Sequence, residues 1–290
     1  MVCLHREELL MSRTVLLMVA LVLLFMYVGN LVGGQEGMQA AFLAACGMNF
    51  FSYFFSDKLV LKQYNAQEAT PQTAPQLYQI VQRLSAKSGL PMPKVYIIPE
   101  QVPNAFATGR SPSHAAVAAT QGLLNLMTPE EIEGVLAHEM SHVKHRDILI
   151  GTIAATFAGA VAMLANTARV STSSSNNSSN NGRSGGILAA ILLPIAATII
   201  RMTISRTREY KADEGAANLT GHPEWLMSAL SKLEGYSQNY QMQRATSQTA
   251  HMFIMNPFNG LPASVTRLFS THPSTKDRLA ALDNIRKKMQ

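Results

Sequence analysis

The chain is poor in charge. Lys, Arg, Asp and Glu make up 14% of its 290 residues, where a soluble domain carries roughly 25%. Hydrophobic residues reach 47%. That imbalance points to a membrane protein. There are two cysteines, Cys3 and Cys46. Both sit far from the H-E-x-x-H motif described below, so neither a disulfide framework nor a Cys-ligated metal is expected. The net charge of +6 is scattered along the chain. It argues against nucleic acid as a partner and for a membrane protein that faces the cytosol. Acids are scarce in one region: between Val143 and Arg208 the only one is Asp147. No small-residue cleavage site follows the first apolar run, so a removed signal peptide is not expected.

Long hydrophobic runs, by contrast, are present. Residues 14–33 are almost uninterruptedly apolar and long enough to cross a bilayer. A Gly-rich turn at 33–37 leads to a second run, 38–55, whose aromatic end suits the membrane interface. Arg6 and Arg13 precede the pair, Lys58 and Lys62 follow it, and the turn carries no Lys or Arg. The positive-inside rule then places the N-terminus and the chain after Lys58 in the cytoplasm. Residues 1–57 are therefore expected to form a membrane hairpin. A second hydrophobic pair falls within 148–204: an uncharged stretch at 148–164, and 187–200 with Pro194 inside. By length these either span the bilayer or re-enter it. The Ser/Asn/Gly-rich stretch 171–186 between them is expected to be disordered and on the far side.

The chemistry is concentrated in Val135-Leu136-Ala137-His138-Glu139-Met140-Ser141-His142, an H-E-x-x-H sequence. Positions four apart lie on one helix face, so His138 and His142 can aim two imidazoles at one point. Zn²⁺ takes imidazole nitrogen at about 2.0–2.1 Å and prefers four ligands. Glu139 is about 100° round the helix from His138, beside such a point, where a base can take a proton from water. The context predicts a helix: Thr128 as N-cap, Pro129 in its first turn, Glu131 completing a capping box, then apolar residues at helical spacing.

Two histidines need a third protein ligand. Where a metzincin would carry Gly and His, this chain has His145 and Ile148. Asp147 lies too close along the same helix to close the site. The next acid is Glu209, in Arg206-Thr207-Arg208-Glu209-Tyr210-Lys211-Ala212-Asp213. Glu209 and Asp213 share a face, so Glu209 can reach the metal while Asp213 orients a neighbouring histidine. The competing reading is an exposed helix with Arg206 and Lys211 as salt-bridge partners. His145, His114, His222, His251 and His5 carry no partner pattern and read as structural or exposed.

The remaining segments set the fold class. Residues 62–73 read as a polar linker and 74–88 as an amphipathic helix ended by Gly89. Strands are expected at 94–98, 104–109 and 115–120. Helices follow at 223–236 and 275–288, with a polar, mobile stretch at 237–249. The whole is α+β and mainly helical: transmembrane helices plus a zincin-like metalloprotease domain, split into 58–147 and 205–290.

His138-Glu139-x-x-His142, Arg206-x-x-Glu209-x-x-x-Asp213, Asn104-Ala105-Phe106 and His272-Pro273 together resemble the HtpX family of membrane-bound zinc metalloproteases, relatives of the CAAX prenyl endopeptidase. The resemblance covers nearly the whole chain, apart from the Ser/Asn-rich loop. It implies a multi-pass bacterial inner-membrane endopeptidase with one Zn²⁺ per chain and its active site toward the cytoplasm. Its substrates would be polypeptides, above all membrane proteins, cleaved as quality control. Metal ligands would be His138, His142 and Glu209; Glu139 would be the base and His272 the oxyanion partner. Asp213, Arg206 and Arg278 would steady the ligands. Asn104, Ala105 and Phe106 would form a substrate-binding edge strand. Two rivals stand beside this reading: a processing protease for a narrow substrate set, and a non-catalytic, zinc-stabilised membrane scaffold.

Overall fold

The structure, a computed structural model, describes residues 2–149, 206–239 and 273–290. The expected second hydrophobic pair lies outside the described residues except for Ile148 and Leu149 at its start. So do the 171–186 loop and His272.

The N-terminal helix α1 (Val2–Gln63) is broken at Gly33 (φ −136°, ψ 19°) and Gly34 (φ 58°, ψ −144°). The break falls at the turn expected from the Gly-rich sequence. The two arms then pack side by side. Leu21 is buried against Met18, Leu24, Phe25, Met48 and Tyr53, and Leu149 joins this cluster. Asn49 Nδ2 donates to the Met18 carbonyl at 3.2 Å. Among the described residues one helix, Gly33–Phe55, is long and apolar enough to cross a membrane, and Met18–Asn30 is a shorter apolar helix. The sequence suggested two spans here; by length and composition one described helix qualifies. Leu16, Leu23, Leu43 and Phe50 point outward from the arms and are exposed.

After α1 come β1 (Gln67–Glu68), α2 (Pro75–Ser88), β2 (Lys94–Ile98), β3 (Ala105–Gly109), a 3₁₀ turn at Pro112–His114, and β4 (Ala115–Thr120). Gly89 at φ 71° ends α2, as a left-handed C-cap does. β1, too short to carry a period, was hidden in the polar linker. The sheet order is β1-β2-β4-β3. β2 and β4 are parallel, and β3 is an edge strand antiparallel to β4. The alanine-rich β4 is buried throughout, so both faces of the sheet are covered. On one face Val95, Ala105, Val117 and Ala119 join the helical core. On the other, Ile98, Phe106, Ala116 and Ala118 meet Val60 and Leu61 from the end of α1.

Beyond the sheet lie α3 (Gln121–Leu126), α4 (Pro129–Lys144), α5 (Arg206–Thr220), α6 (Pro223–Asn239) and α7 (Thr275–Met289). The short α3 was not expected, and α6 runs three residues into the stretch read as mobile. The motif helix α4 is the centre of this layer. A Cβ on Gly134 would come within 2.8 Å of the Leu226 backbone nitrogen, and one on Gly215 within 1.8 Å of Ser141 Oγ. Glycine at these two positions lets α6 and α5 lie directly on α4. Leu136, Met140, Ala216, Leu226, Leu233 and Leu282 fill the space between them.

Candidate active site

The first turn of α4 is tied down before the motif begins. Thr128 Oγ1 accepts from Glu131 N, and Glu131 Oε2 accepts from Thr128 N at 2.8 Å, the reciprocal capping box. Glu131 also accepts from Ser228 Oγ at 2.6 Å and Lys232 Nζ at 2.7 Å. Glu133 pairs with Arg83 at 2.7 Å. These bonds fix where α4 stands relative to α2 and α6, and so where the motif residues point.

One turn apart on α4, the Nε2 atoms of His138 and His142 stand 3.2 Å from each other. Glu209 of α5 closes the third side: Oε2 is 3.6 Å from His138 Nε2 and Oε1 is 3.6 Å from His142 Nε2. A tetrahedral cation with bonds of about 2.0–2.1 Å spans donor-to-donor edges of about 3.3–3.4 Å. Two imidazoles and a carboxylate at this spacing fit a divalent ion of the zinc type. Glu139 lies beside them, buried, with Oε2 accepting from the Ala107 backbone N–H of β3 at 3.0 Å.

The electrostatics point the same way. Burial alone would lower the basicity of His138, but the Asp213 and Glu209 carboxylates outweigh it and raise the pKa to about 9. The site is built to hold positive charge. Burial pushes the Glu139 carboxyl above its usual range, and the two histidines pull it only part of the way back. Burial would also raise Asp213, but the Arg278 guanidinium holds it below the ordinary carboxylate value.

Behind each histidine stands a carboxylate. Asp213 Oδ1 lies 2.9 Å from His138 Nδ1. Arg278 of α7 grips Asp213 with two bonds, Nε to Oδ2 at 2.9 Å and Nη2 to Oδ1 at 2.6 Å. Asp147 Oδ2 lies 3.2 Å from His142 Nδ1, and Arg208 faces Asp147 Oδ1 at 3.6 Å. A ring that gives its Nδ1 proton to a carboxylate turns its Nε2 lone pair toward the site.

Of the residues expected at the site, the structure brings His138, Glu139, His142, Glu209, Asp213 and Arg278 together. Arg206 is exposed at the start of α5; the arginine of that turn that reaches the site's surroundings is Arg208. Asn104 is buried, its N–H donating to Thr120 Oγ1 at 2.8 Å. Phe106 turns away from the site and packs on Tyr64, ring centroids 5.7 Å apart. Ala105 lies on the opposite face of β3 from Phe106 and joins the helical core. Ala107 N–H, Asp147 and Arg208 were not anticipated. A backbone donor has no signature in sequence, whereas Asp147 had one: it is the lone acid between Val143 and Arg208.

The family model described as peptidase family M48 matches residues 71–286. The chain belongs to peptidase family M48. Its relatives include a protease HtpX homolog of Campylobacter curvus, 62% identical over 94% of this chain and 96% of the relative. Another, from Campylobacter hominis, is 62% identical over 96% of this chain and 99% of the relative. The chain is thus an HtpX-type member of M48 and a metallopeptidase. The family implies a divalent metal, for which the His138, His142 and Glu209 cluster is the candidate holder. The crystal structure of S. mikatae Ste24p shares the fold, with a TM-score of 0.52 at 18% identity over 98% of this chain and 67% of that one.

Proposed function

We propose that this chain is a membrane-embedded zinc endopeptidase that cleaves membrane proteins on the cytoplasmic side, as quality control. The observation that carries the catalytic part is the convergence of His138, His142 and Glu209 at 3.2–3.6 Å with Glu139 buried alongside. The outward apolar side chains of α1, such as Leu16, Leu43 and Phe50, support the membrane part. The Lys and Arg distribution around the hairpin supports the cytoplasmic side.

A divalent cation held by His138, His142 and Glu209 supplies Lewis acidity for a scissile carbonyl. Glu139 takes a proton from the attacking water and delivers it to the leaving amine. His272 is assigned, on the family resemblance alone, to stabilise the oxyanion. Substrate enters along β3. Thr120 N donates to the Asn104 carbonyl at 2.9 Å, so alternation along an antiparallel pair turns the backbone of residues 105 and 107 away from β4. The Ala107 N–H accordingly donates to Glu139 and not to β4. An extended peptide laid on this edge runs past the base.

The experiment compares purified full-length wild type with Glu139→Ala on a membrane-protein substrate, with metal measured on both. Wild type should cleave; Glu139→Ala should keep its metal and lose cleavage. Substantial proteolysis by the mutant would remove Glu139 from its role. Cleavage of many unfolded chains supports quality control, whereas one sharp substrate class supports narrow processing.

A further inference from the structure

His138 and His142 come from one motif, but only His138 has a support that sequence reasoning anticipated. We propose that Asp147 is a positioning residue for His142, and that Arg208 holds Asp147 to that task. The inference rests on reading His142 as a metal ligand.

Three observations carry it. The first is geometry. Asp147 Oδ2 is 3.2 Å from His142 Nδ1, and its other oxygen faces Arg208 at 3.6 Å. The Asp147 carboxylate fixes the tautomer that leaves Nε2 facing Glu209, and it stops the ring from turning. The second is the backbone. On an unbroken helix a residue five places on lies about 140° round from its origin, so Asp147 could not reach His142. The helix ends instead: His145 N makes the last i→i−4 bond, to Ser141 O at 2.9 Å, and Arg146 N turns to Val143 O, only three residues back, at 3.1 Å. Arg146 then takes a positive φ of 56°, an uncommon conformation for a residue with a Cβ. That left-handed step swings Asp147 back under His142. Strained steps of this kind cluster where a site dictates the backbone.

The third observation is symmetry of chemistry. His138–Asp213–Arg278 and His142–Asp147–Arg208 are the same ring, carboxylate and guanidinium in the same order. The second set is not a copy by sequence, since Asp213 comes from α5 and Asp147 from the turn after α4. Its members also flank residues 150–205 in the chain, and Leu149, two residues on from Asp147, is packed on Leu21 of α1. The segment that carries the support of His142 is therefore joined to the apolar hairpin.

The test uses the purified full-length chain in detergent, carrying Glu139→Gln to keep it intact, with Zn²⁺ affinity read by chelator competition. Asp147→Asn should weaken Zn²⁺ binding by about 10–100-fold, as loss of such a partner does. Asp147→Glu should fall between wild type and Asn, and Arg208→Gln should weaken binding by less than Asp147→Asn. The Co²⁺-loaded Asp147→Asn chain should show a shifted d–d absorption, which a loss of fold stability alone does not produce. Lys94→Gln, which breaks an exposed ion pair with Glu68, should bind Zn²⁺ as the parent chain does. Wild-type affinity and an unshifted cobalt spectrum in Asp147→Asn would overturn the proposal. If Asp147→Asn does not fold, Asp147→Glu and Arg208→Gln decide: weaker binding in both supports it, and unchanged binding in both overturns it. His142→Ala separates the two levels. If it keeps full affinity, the ligand reading fails; if it loses metal while Asp147→Asn keeps it, only the positioning role fails.

Discussion

His138 and His142 sit one turn apart on the same face of α4, yet their surroundings differ in depth. Asp213 and Arg278, behind His138, are sealed in the core at 0% and 1% exposure. Asp147 and Arg208, behind His142, reach the rim, with side chains 11% and 18% exposed. Arg278 holds Asp213 with two short bonds; Arg208 meets Asp147 with one contact at 3.6 Å. The inner set joins α4, α5 and α7, so folding of the core and orientation of the first ligand are one event. The outer set lies where the chain leaves the core, so it can change with little effect on folding.

The largest test of that contrast is Arg278→Leu. It takes the guanidinium from the buried Asp213 carboxylate, and breaking a buried ion pair by removing one partner costs about 3–5 kcal/mol. Thermal melting of the metal-free chain should show that loss, with Arg278→Lys intermediate because it keeps the charge without the fork. A change no larger than that of Arg208→Gln would erase the distinction between inner and outer sets. Next in size is Gly215→Ala, whose Cβ would stand 1.8 Å from Ser141 Oγ. Overpacking of this kind costs about 1–3 kcal/mol, and the second change Ser141→Ala should recover part of it. No recovery would mean that the α4–α5 contact is not what Gly215 serves.

Acid gives a gentler probe. Asp213 has a folded-state pKa held below its ordinary value of 3.8. Its contribution to stability is present above that ordinary value and is lost as pH falls through the depressed one. Wild type should therefore lose its stability margin over Asp213→Asn below about pH 4. A margin that persisted unchanged into stronger acid would contradict the depressed value. The smallest effect is on Arg208→Gln, which should lower stability by less than about 1 kcal/mol because the pair is near solvent.

What could be read from the chain beforehand followed the strength of the local signal. The capping box Thr128–Glu131 and the apolar spacing after it placed α4 correctly, because caps and period act over a single element. Glu209 was reached by scarcity of acids, and Gly89 by its place after an amphipathic run. The short run 104–109 located β3 but not its facing, and the structure turns Phe106 away from the site and toward Tyr64. Asp147 was set aside as too near His142 in sequence. That reasoning assumed a continuing helix, and the positive φ at Arg146 removes the assumption. Arg278 stood in a charged final helix whose buried member no local pattern distinguishes from Arg286, Lys287 or Lys288.

The central claim is that one cation is held by two histidines of α4 and one glutamate of α5. The most direct measurement is metal stoichiometry after dialysis in wild type, Glu139→Ala and Glu209→Gln. The account predicts about one zinc per chain in wild type and in Glu139→Ala, and a strong loss in Glu209→Gln, because a neutral amide is a poor ligand for a dication. Full zinc in Glu209→Gln, with loss instead in Glu224→Gln or Glu234→Gln, would contradict it.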